Sequence, residues 1–478
     1  MENQLEGPVG PESGRTRRVR SRPVLIAAVV GCAVLGGVLV LVPWERPAGP
    51  AAPSPGAPAG AALDSGVPAA LPDLAELIDE RARAVRERPG DAASWAVLGT
   101  AYTERGRRLA DPAYYPRAEK ALRTSLKVRP RRNTRALAGL AALSLARRDF
   151  PAARRWGEAA LELEPRRWTT YPLLIEAYTG LGDQKAAKRA LDRLTRLRSG
   201  PAVLARAAAV YRDRGWREDA AASLTDAVAG ARAPAERAAY LEQAGRLAFE
   251  RGEPGIALRH FREAVRLDAD QSAARAGQGR ALAALGRPEQ ALGVYRAALA
   301  RQPCPRYALE LGELYESLGR PDAARARYGL LRERVRVAAA GGADEELLLG
   351  RFEADHGDPG AAVRRLRAEW GRRPTTEVAD ALGWALHRAG RSRQALRFAL
   401  VATDPVRGGG MQDAVAMYHR GMIERELGRD GAARRHLTEA LRINPHFSPL
   451  GAPAARAALE ALGEPPDEGV PEMDGAAG

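Results

Sequence analysis

The sequence predicts an all-α superhelical solenoid of stacked helix-turn-helix pairs, preceded by a single transmembrane helix and a disordered linker. A glycine lies five residues before an alanine at eight places, from Gly182/Ala187 to Gly428/Ala433, and successive glycines are 33 to 38 residues apart. An uncharged apolar run also occupies residues 23–43. Independent loops would not keep so regular a spacing, so one structural unit is repeated along the chain.

The first repeat carries the most specific pattern. Trp95, Leu98, Gly99 and Tyr102 have the spacing W-x2-L-G-x2-Y. This pattern resembles a tetratricopeptide repeat, and the resemblance covers roughly residues 74–463. It implies about ten helical pairs whose first helices line a concave face, where peptides or partner helices usually lie.

Each recurring residue type has a predicted role. A glycine inside the first helix leaves room for the second helix, and the glycine between the helices adopts the left-handed conformation. In repeat two, Asp149 stands where later repeats carry this glycine. In repeat one, the insertion 107–116 lengthens the loop between the helices. A helix from Asp73 to about Arg88 covers the first repeat, and 454–462 forms the closing helix.

Five segments follow from these patterns. They are a basic cytoplasmic tail (1–22), a transmembrane helix (23–43), a Pro/Ala/Gly-rich linker (44–72), the solenoid with its capping helices (73–463) and an acidic disordered tail (464–478).

The apolar run has 21 residues, or about 31 Å as a helix, which is enough to cross a hydrocarbon core. Five arginines precede it, so the positive-inside rule keeps the N-terminus cytoplasmic and places the solenoid outside the cytoplasmic membrane. Two alternatives stay open. The run is long for a cleavable signal peptide. A lipobox-like sequence ends at Cys32, but ten more apolar residues follow it.

The formal net charge is +15, which suggests an anionic partner such as nucleic acid. However, the arginines alternate with Glu and Asp along most predicted helices, as expected for solvated helix faces. The Ala/Arg/Gly/Pro-rich composition suggests a GC-rich bacterial genome. Cys32 and Cys304 are the only cysteines, so no disulfide framework is predicted.

Ten side chains are predicted to point into the groove. They are Glu176, Arg212, Arg246, Arg280, Glu313, Arg351, Trp384, His387, Tyr418 and Arg425. We take Arg246, Arg280 and Arg351 as candidate partners for acidic groups, and Trp384 and Tyr418 as candidate anchors for an apolar side chain. The alternatives are solvated arginines and aromatic filler between repeats.

No motif points to chemistry, since no zinc-protease, nucleophile-elbow or phosphate-loop pattern occurs. We therefore expect no enzyme activity, no cofactor and no metal. The sequence favours a membrane-anchored scaffold that binds a partner protein or peptide in the concave groove. The alternatives are a basic solenoid that binds nucleic acid or another anionic polymer, and an accessory subunit of a membrane enzyme complex.

Overall fold

The computed structural model describes residues 54–403 and 413–464, which lie almost entirely in the compact part Pro55–Gly478. These residues form 23 α-helices, one short 3₁₀ helix and no strand. The predicted transmembrane helix (23–43), the basic tail (1–22) and the acidic tail from residue 465 lie outside the described residues. Within the described part of the chain, no helix is long and apolar enough to cross a membrane.

The helices follow one another in antiparallel order. They are α1 (Ala57–Asp64), α2 (Leu71–Glu87), α3 (Ala92–Leu109), α4 (Tyr114–Val128), α5 (Thr134–Ala146), α6 (Phe150–Leu163), α7 (Tyr171–Gly180), α8 (Gln184–Leu197), α9 (Pro201–Asp213), α10 (Arg217–Gly230), α11 (Pro234–Glu250), α12 (Pro254–Leu267), α13 (Ser272–Ala284), α14 (Pro288–Arg301), α15 (Pro305–Ser317), α16 (Pro321–Ala340), α17 (Glu346–His356), α18 (Pro359–Arg372), α19 (Thr376–Arg388), α20 (Ser392–Thr403), α21 (Ala414–Glu426), α22 (Asp430–Ile443) and α23 (Gly451–Leu462). Repeats one to ten are the consecutive pairs from α3/α4 to α21/α22, so the predicted helical solenoid is confirmed.

The glycine within the first helix permits close helix crossing, as predicted. A Cβ atom placed on Gly279 would lie 2.5 Å from the ring of Tyr295, and one on Gly312 would lie 2.3 Å from the ring of Tyr328. Both tyrosines belong to the second helix of the same repeat. Because these distances are shorter than any normal contact, a side chain at either position would push the two helices apart.

The connecting glycines adopt the left-handed conformation in seven repeats. Their φ angles run from 68° to 80° at Gly182, Gly215, Gly252, Gly286, Gly319, Gly390 and Gly428. Gly357 departs from this rule, with a φ of −142°.

In repeat two the left-handed residue is Arg148, whose φ is 60°. The assignment of Asp149 to the glycine position is therefore wrong by one residue. Asp149 instead caps α6, because its carboxylate accepts a hydrogen bond of 3.0 Å from the backbone N–H of Ala152.

These angles give a matched pair of stability predictions. Ala110 has a φ of 49°, whereas Gly286 has a φ of 71° and open space where a Cβ would lie. Ala110→Gly should raise the free energy of unfolding, and Gly286→Ala should lower it, each by about 1 kcal/mol. Chemical denaturation of both variants checks this. Two shifts of the same sign would contradict the backbone explanation.

The N-terminal cap differs from the prediction. Helix α1 lies within residues 44–72, which were predicted to be a disordered linker, and α2 begins at Leu71 rather than Asp73. Ala59 is fully buried, and a Cβ on Gly56 would lie 2.7 Å from the backbone of Leu77. Small residues therefore let α1 pack closely on α2 although it carries few large apolar side chains.

The insertion in repeat one lengthens both helices more than the loop. Arg107 lies in the last turn of α3, and Tyr115 in the first turn of α4. Tyr115 is buried against Gly106, since a Cβ there would lie 2.9 Å from its ring. Only residues 110–113 connect the two helices, so the prediction of a loop over 107–116 is corrected.

Successive turns of the solenoid contact each other. Repeats two and seven are joined by hydrogen bonds, from Arg147 Nε to the carbonyl of Gly341 (3.1 Å) and from Asp344 N to the carbonyl of Arg147 (2.9 Å). The side-chain amide of Asn444 in repeat ten donates to the carbonyl of Phe249 in repeat five at 2.8 Å. These partners are five repeats apart, so the loop of one turn packs on the linker of the next.

A buried ion pair joins the first repeats to the second turn. Arg108 Nη2 lies 2.5 Å from Asp268 Oδ2, and the side chains are only 5% and 8% exposed. Arg108 also donates to the carbonyl of Ala69, between α1 and α2. Nearby, Gln302 Nε2 donates to the carbonyl of Arg107 at 3.1 Å. Repeat one is thereby held against repeats five and six.

Candidate functional site: the inner face

The predicted groove residues on first helices are mostly charged, and most are paired. Arg280 Nε lies 3.2 Å from Glu310 of the next repeat, and Arg351 Nη1 lies 3.0 Å from Glu377 of the next repeat. Their side chains keep partial exposure. The structure therefore places Arg280 and Arg351 in a ladder of ion pairs that runs from repeat to repeat along the inner face.

Arg212 belongs to the same ladder. Its guanidinium lies 2.8 Å from Asp213 and 3.8 Å from Glu250 of the following repeat. Burial alone would lower the pKa of Arg212, but these carboxylates outweigh it and raise the pKa. Such side chains stay charged at all physiological pH values.

Arg246 has no salt-bridge or hydrogen-bond partner among the described residues, and its Nε is shielded from solvent. The positive charge of Arg212 is the main cause that lowers the pKa of Arg246, with burial second. Of the three predicted groove arginines, Arg246 is therefore the one left unpaired.

The inner face brings distant repeats together. Glu377 of repeat nine interacts electrostatically with Arg148 of repeat two and with Arg212 of repeat four. Similarly, Glu250 of repeat five interacts with Asp413 at the start of repeat ten. Residues of both turns therefore lie within electrostatic range of each other.

The structure places Trp384 and Tyr418 in the packing between repeats nine and ten. They are 7% and 8% exposed. The indole Nε1 of Trp384 donates to Asp355 at 2.8 Å, and its ring stacks on His419 with 4.2 Å between centroids. Little of either ring remains free to contact another molecule, which matches the alternative of aromatic filler.

A histidine with acidic neighbours lies on α17. His356 is 3.2 Å from Glu316 and 3.6 Å from Glu313, and its ring stacks on Tyr328. Burial alone would lower the pKa of His356, but the two carboxylates outweigh it and raise the pKa. Burial in turn raises the pKa of Glu313.

This site predicts a pH dependence of stability. A histidine whose pKa is raised in the folded state contributes its full stabilisation at pH values below its unfolded-state pKa of about 6.5. This stabilisation is lost as the pH rises through the folded-state pKa. We expect His356→Asn to reduce the stability gained on acidification, measured by denaturation at several pH values. Burial lowers the pKa of His260, so His260→Asn should change the pH dependence in the opposite direction. Parallel curves for wild type and His356→Asn would contradict the prediction.

Three inner residues were not predicted from the sequence, namely Arg148, Arg306 and Glu377. They line one cavity together with Arg351 and two leucines. The sequence could have singled out Arg148, because it stands five residues before Ala153, where the later repeats carry the connecting glycine. Nothing in the sequence relates residue 148 to residues 306 and 377. No group of potential metal ligands occurs among residues 54–403 and 413–464.

Parts of the chain match models of the tetratricopeptide repeat. Two family models, both described as "Tetratricopeptide repeat", match the chain. The first matches residues 242–303 and 276–334, and the second matches residues 414–447. No curated protein matches the chain.

Two solved structures are similar to parts of the chain. The human IFIT1 dimer with PPP-AAAA is 16% identical, with a TM-score of 0.45, over 68% of this chain and 76% of that chain. PilF of Pseudomonas aeruginosa is 20% identical, with a TM-score of 0.35, over 42% of this chain and 90% of that chain. Likenesses this low carry no inference about what this chain binds.

Proposed function

We propose that this chain is a membrane-anchored scaffold that binds an extended segment of another protein on the inner face of its solenoid. Tetratricopeptide repeats suggest a protein-interaction scaffold. The inner face supports this reading because it presents charged side chains of both signs in a fixed order. We assign no catalytic role to any residue of the chain.

The ion-pair ladder is the observation that carries the proposal. Arg212, Arg280 and Arg351 are each matched by a carboxylate of the following repeat. A surface of alternating charge complements a polypeptide that itself carries both signs. A nucleic acid would instead require unpaired cations along its phosphates. The paired arginines therefore favour a protein partner over a polyanion.

Residues 23–43 supply the proposed anchor, and the N-terminus would be cytoplasmic with the solenoid on the opposite side. A phosphatase fused after residue 463 should then be active, whereas a fluorescent protein at the same position should stay dark. Fluorescence without phosphatase activity would show that the orientation is the opposite of the one proposed. The binding proposal has its own test.

Site-specific crosslinking in native membranes tests the binding proposal. A photo-reactive residue at position 246, on the inner face, should capture a polypeptide. The matched control is position 262, an exposed arginine on the second helix of the same repeat. Equal capture at both positions, or capture of nucleic acid at position 246, would refute the proposal.

A further inference from the structure

A small cavity lies where the two turns of the solenoid meet. Its lining comes from four repeats and consists of Arg148, Arg306, Leu347, Leu348, Arg351 and Glu377. The two leucines are buried and form an apolar wall.

The lining has an excess of positive charge, with three guanidinium groups and one carboxylate. Arg351 pairs with Glu377 at 3.0 Å. Arg148 lies 3.5 Å from Glu345, which is not part of the lining. The Arg306 side chain is exposed, and its guanidinium group has no salt-bridge or hydrogen-bond partner within the described residues. One cation of the cavity is therefore available to an incoming anion.

The pKa of Glu377 indicates the electrostatic potential in the cavity. Burial alone would raise the pKa of this carboxyl, but Arg351, Arg306 and other arginines overcome that effect and lower it to about 2. A neighbouring anion would experience the same field.

Arg148 adds a second, independent observation. It adopts the left-handed conformation at the position where seven other repeats carry glycine. A side chain at this position costs backbone strain that glycine avoids. Strain of this kind persists where the side chain is needed, and the Arg148 side chain reaches the cavity.

We propose that the cavity formed by Arg148, Arg306 and Arg351 binds an oxyanion, either a carboxylate or a phosphate group. Guanidinium groups hold such planar or tetrahedral oxyanions through paired, charge-assisted hydrogen bonds. The bound anion bridges the two turns, because Arg148 belongs to repeat two whereas the other two arginines belong to repeats seven and eight. The proposal does not depend on the protein partner proposed above.

Calorimetric titration of the full chain tests the site with two probes, inorganic phosphate and a short glutamate-rich peptide without phosphate. Arg306→Gln should weaken binding about tenfold, the loss expected for one charge-assisted hydrogen bond. Because Arg306 is exposed and unpaired, this variant should fold normally. Glu377→Gln removes the only carboxylate of the lining and should tighten binding. Arg262→Gln, the exposed control on α12, should bind as wild type does.

The two probes separate the sources of the anion. Binding of phosphate alone, or of the peptide alone, supports the site and identifies the group that it selects. The proposal is overturned when neither probe binds, when Arg306→Gln binds as well as wild type, or when Glu377→Gln weakens binding. A merely structural role for Glu377 would not produce tighter binding.

Discussion

Replacing Arg108 with alanine is expected to lower the free energy of unfolding by about 3–5 kcal/mol, which is the cost of leaving a buried charge unpaired. The pair that Arg108 forms with Asp268 is almost inaccessible to water. The substitution also removes the donor to the carbonyl of Ala69. The effect should extend beyond repeat one, because the same contact holds the first turn of the solenoid on the second.

Amide hydrogen exchange is the appropriate measurement, since it reports each helix separately. Protection should fall in α3 and also in α12, although Arg108 and Asp268 are 160 residues apart in the sequence. The paired variant Arg108→Met/Asp268→Leu should recover most of the loss, because no charge is left alone. Arg266→Ala removes a pair at the surface of the same helix α12 and should change little. Loss of protection in α3 alone would contradict a role in joining the turns.

The second large effect is expected for Phe261→Ala, at about 3–5 kcal/mol. Phe261 is 1% exposed, and its ring lies between two first helices. A Cβ on Gly245 of the same repeat would be 2.7 Å from the ring, and a Cβ on Gly277 of the next repeat would be 2.5 Å from it. One side chain therefore fills the space both within and between repeats, and its removal leaves a cavity.

A double-mutant cycle with Gly277→Ala tests this geometry. In the wild-type background the added methyl group meets the Phe261 ring and should destabilise by about 1–3 kcal/mol. In the Phe261→Ala background the same methyl group enters the vacated space and should be neutral or stabilising. Denaturation of the four variants gives the coupling energy. Equal effects in both backgrounds would show that the ring and the glycine do not share this contact.

The local architecture could be predicted because it repeats. The sequence predicts a glycine inside the first helix where the second helix crosses, and Gly279 and Gly312 lie at such crossings. The place of Arg280 and Arg351 in the repeat predicts that they point inward, and the structure shows each of them paired with a carboxylate of the next repeat. The aromatic residue Trp384 was harder to assign, because the same helix position can face the interior or the neighbouring repeat.

The contacts between turns could not be predicted. Arg108 and Asp268 are ordinary charged residues in an arginine-rich sequence, and the periodicity contains no information about which repeats meet after one turn. Which repeats meet depends on the small rotation between one repeat and the next, added up over five repeats. The cavity depends on the same sum, so Arg148 and Arg306 were recognised only once the turns were placed together, whereas Arg351 was already a candidate from its place in the repeat.

The contact between turns also restricts how such a chain can change in length. In an open array, a duplicated or deleted helical pair affects only its two neighbours. Here, gaining one pair between repeats two and seven would shift Arg147 away from Gly341, and every other contact between turns that spans the added pair would shift with it. Copy number is therefore fixed by geometry, and variation in this protein is expected at its two ends rather than within the array.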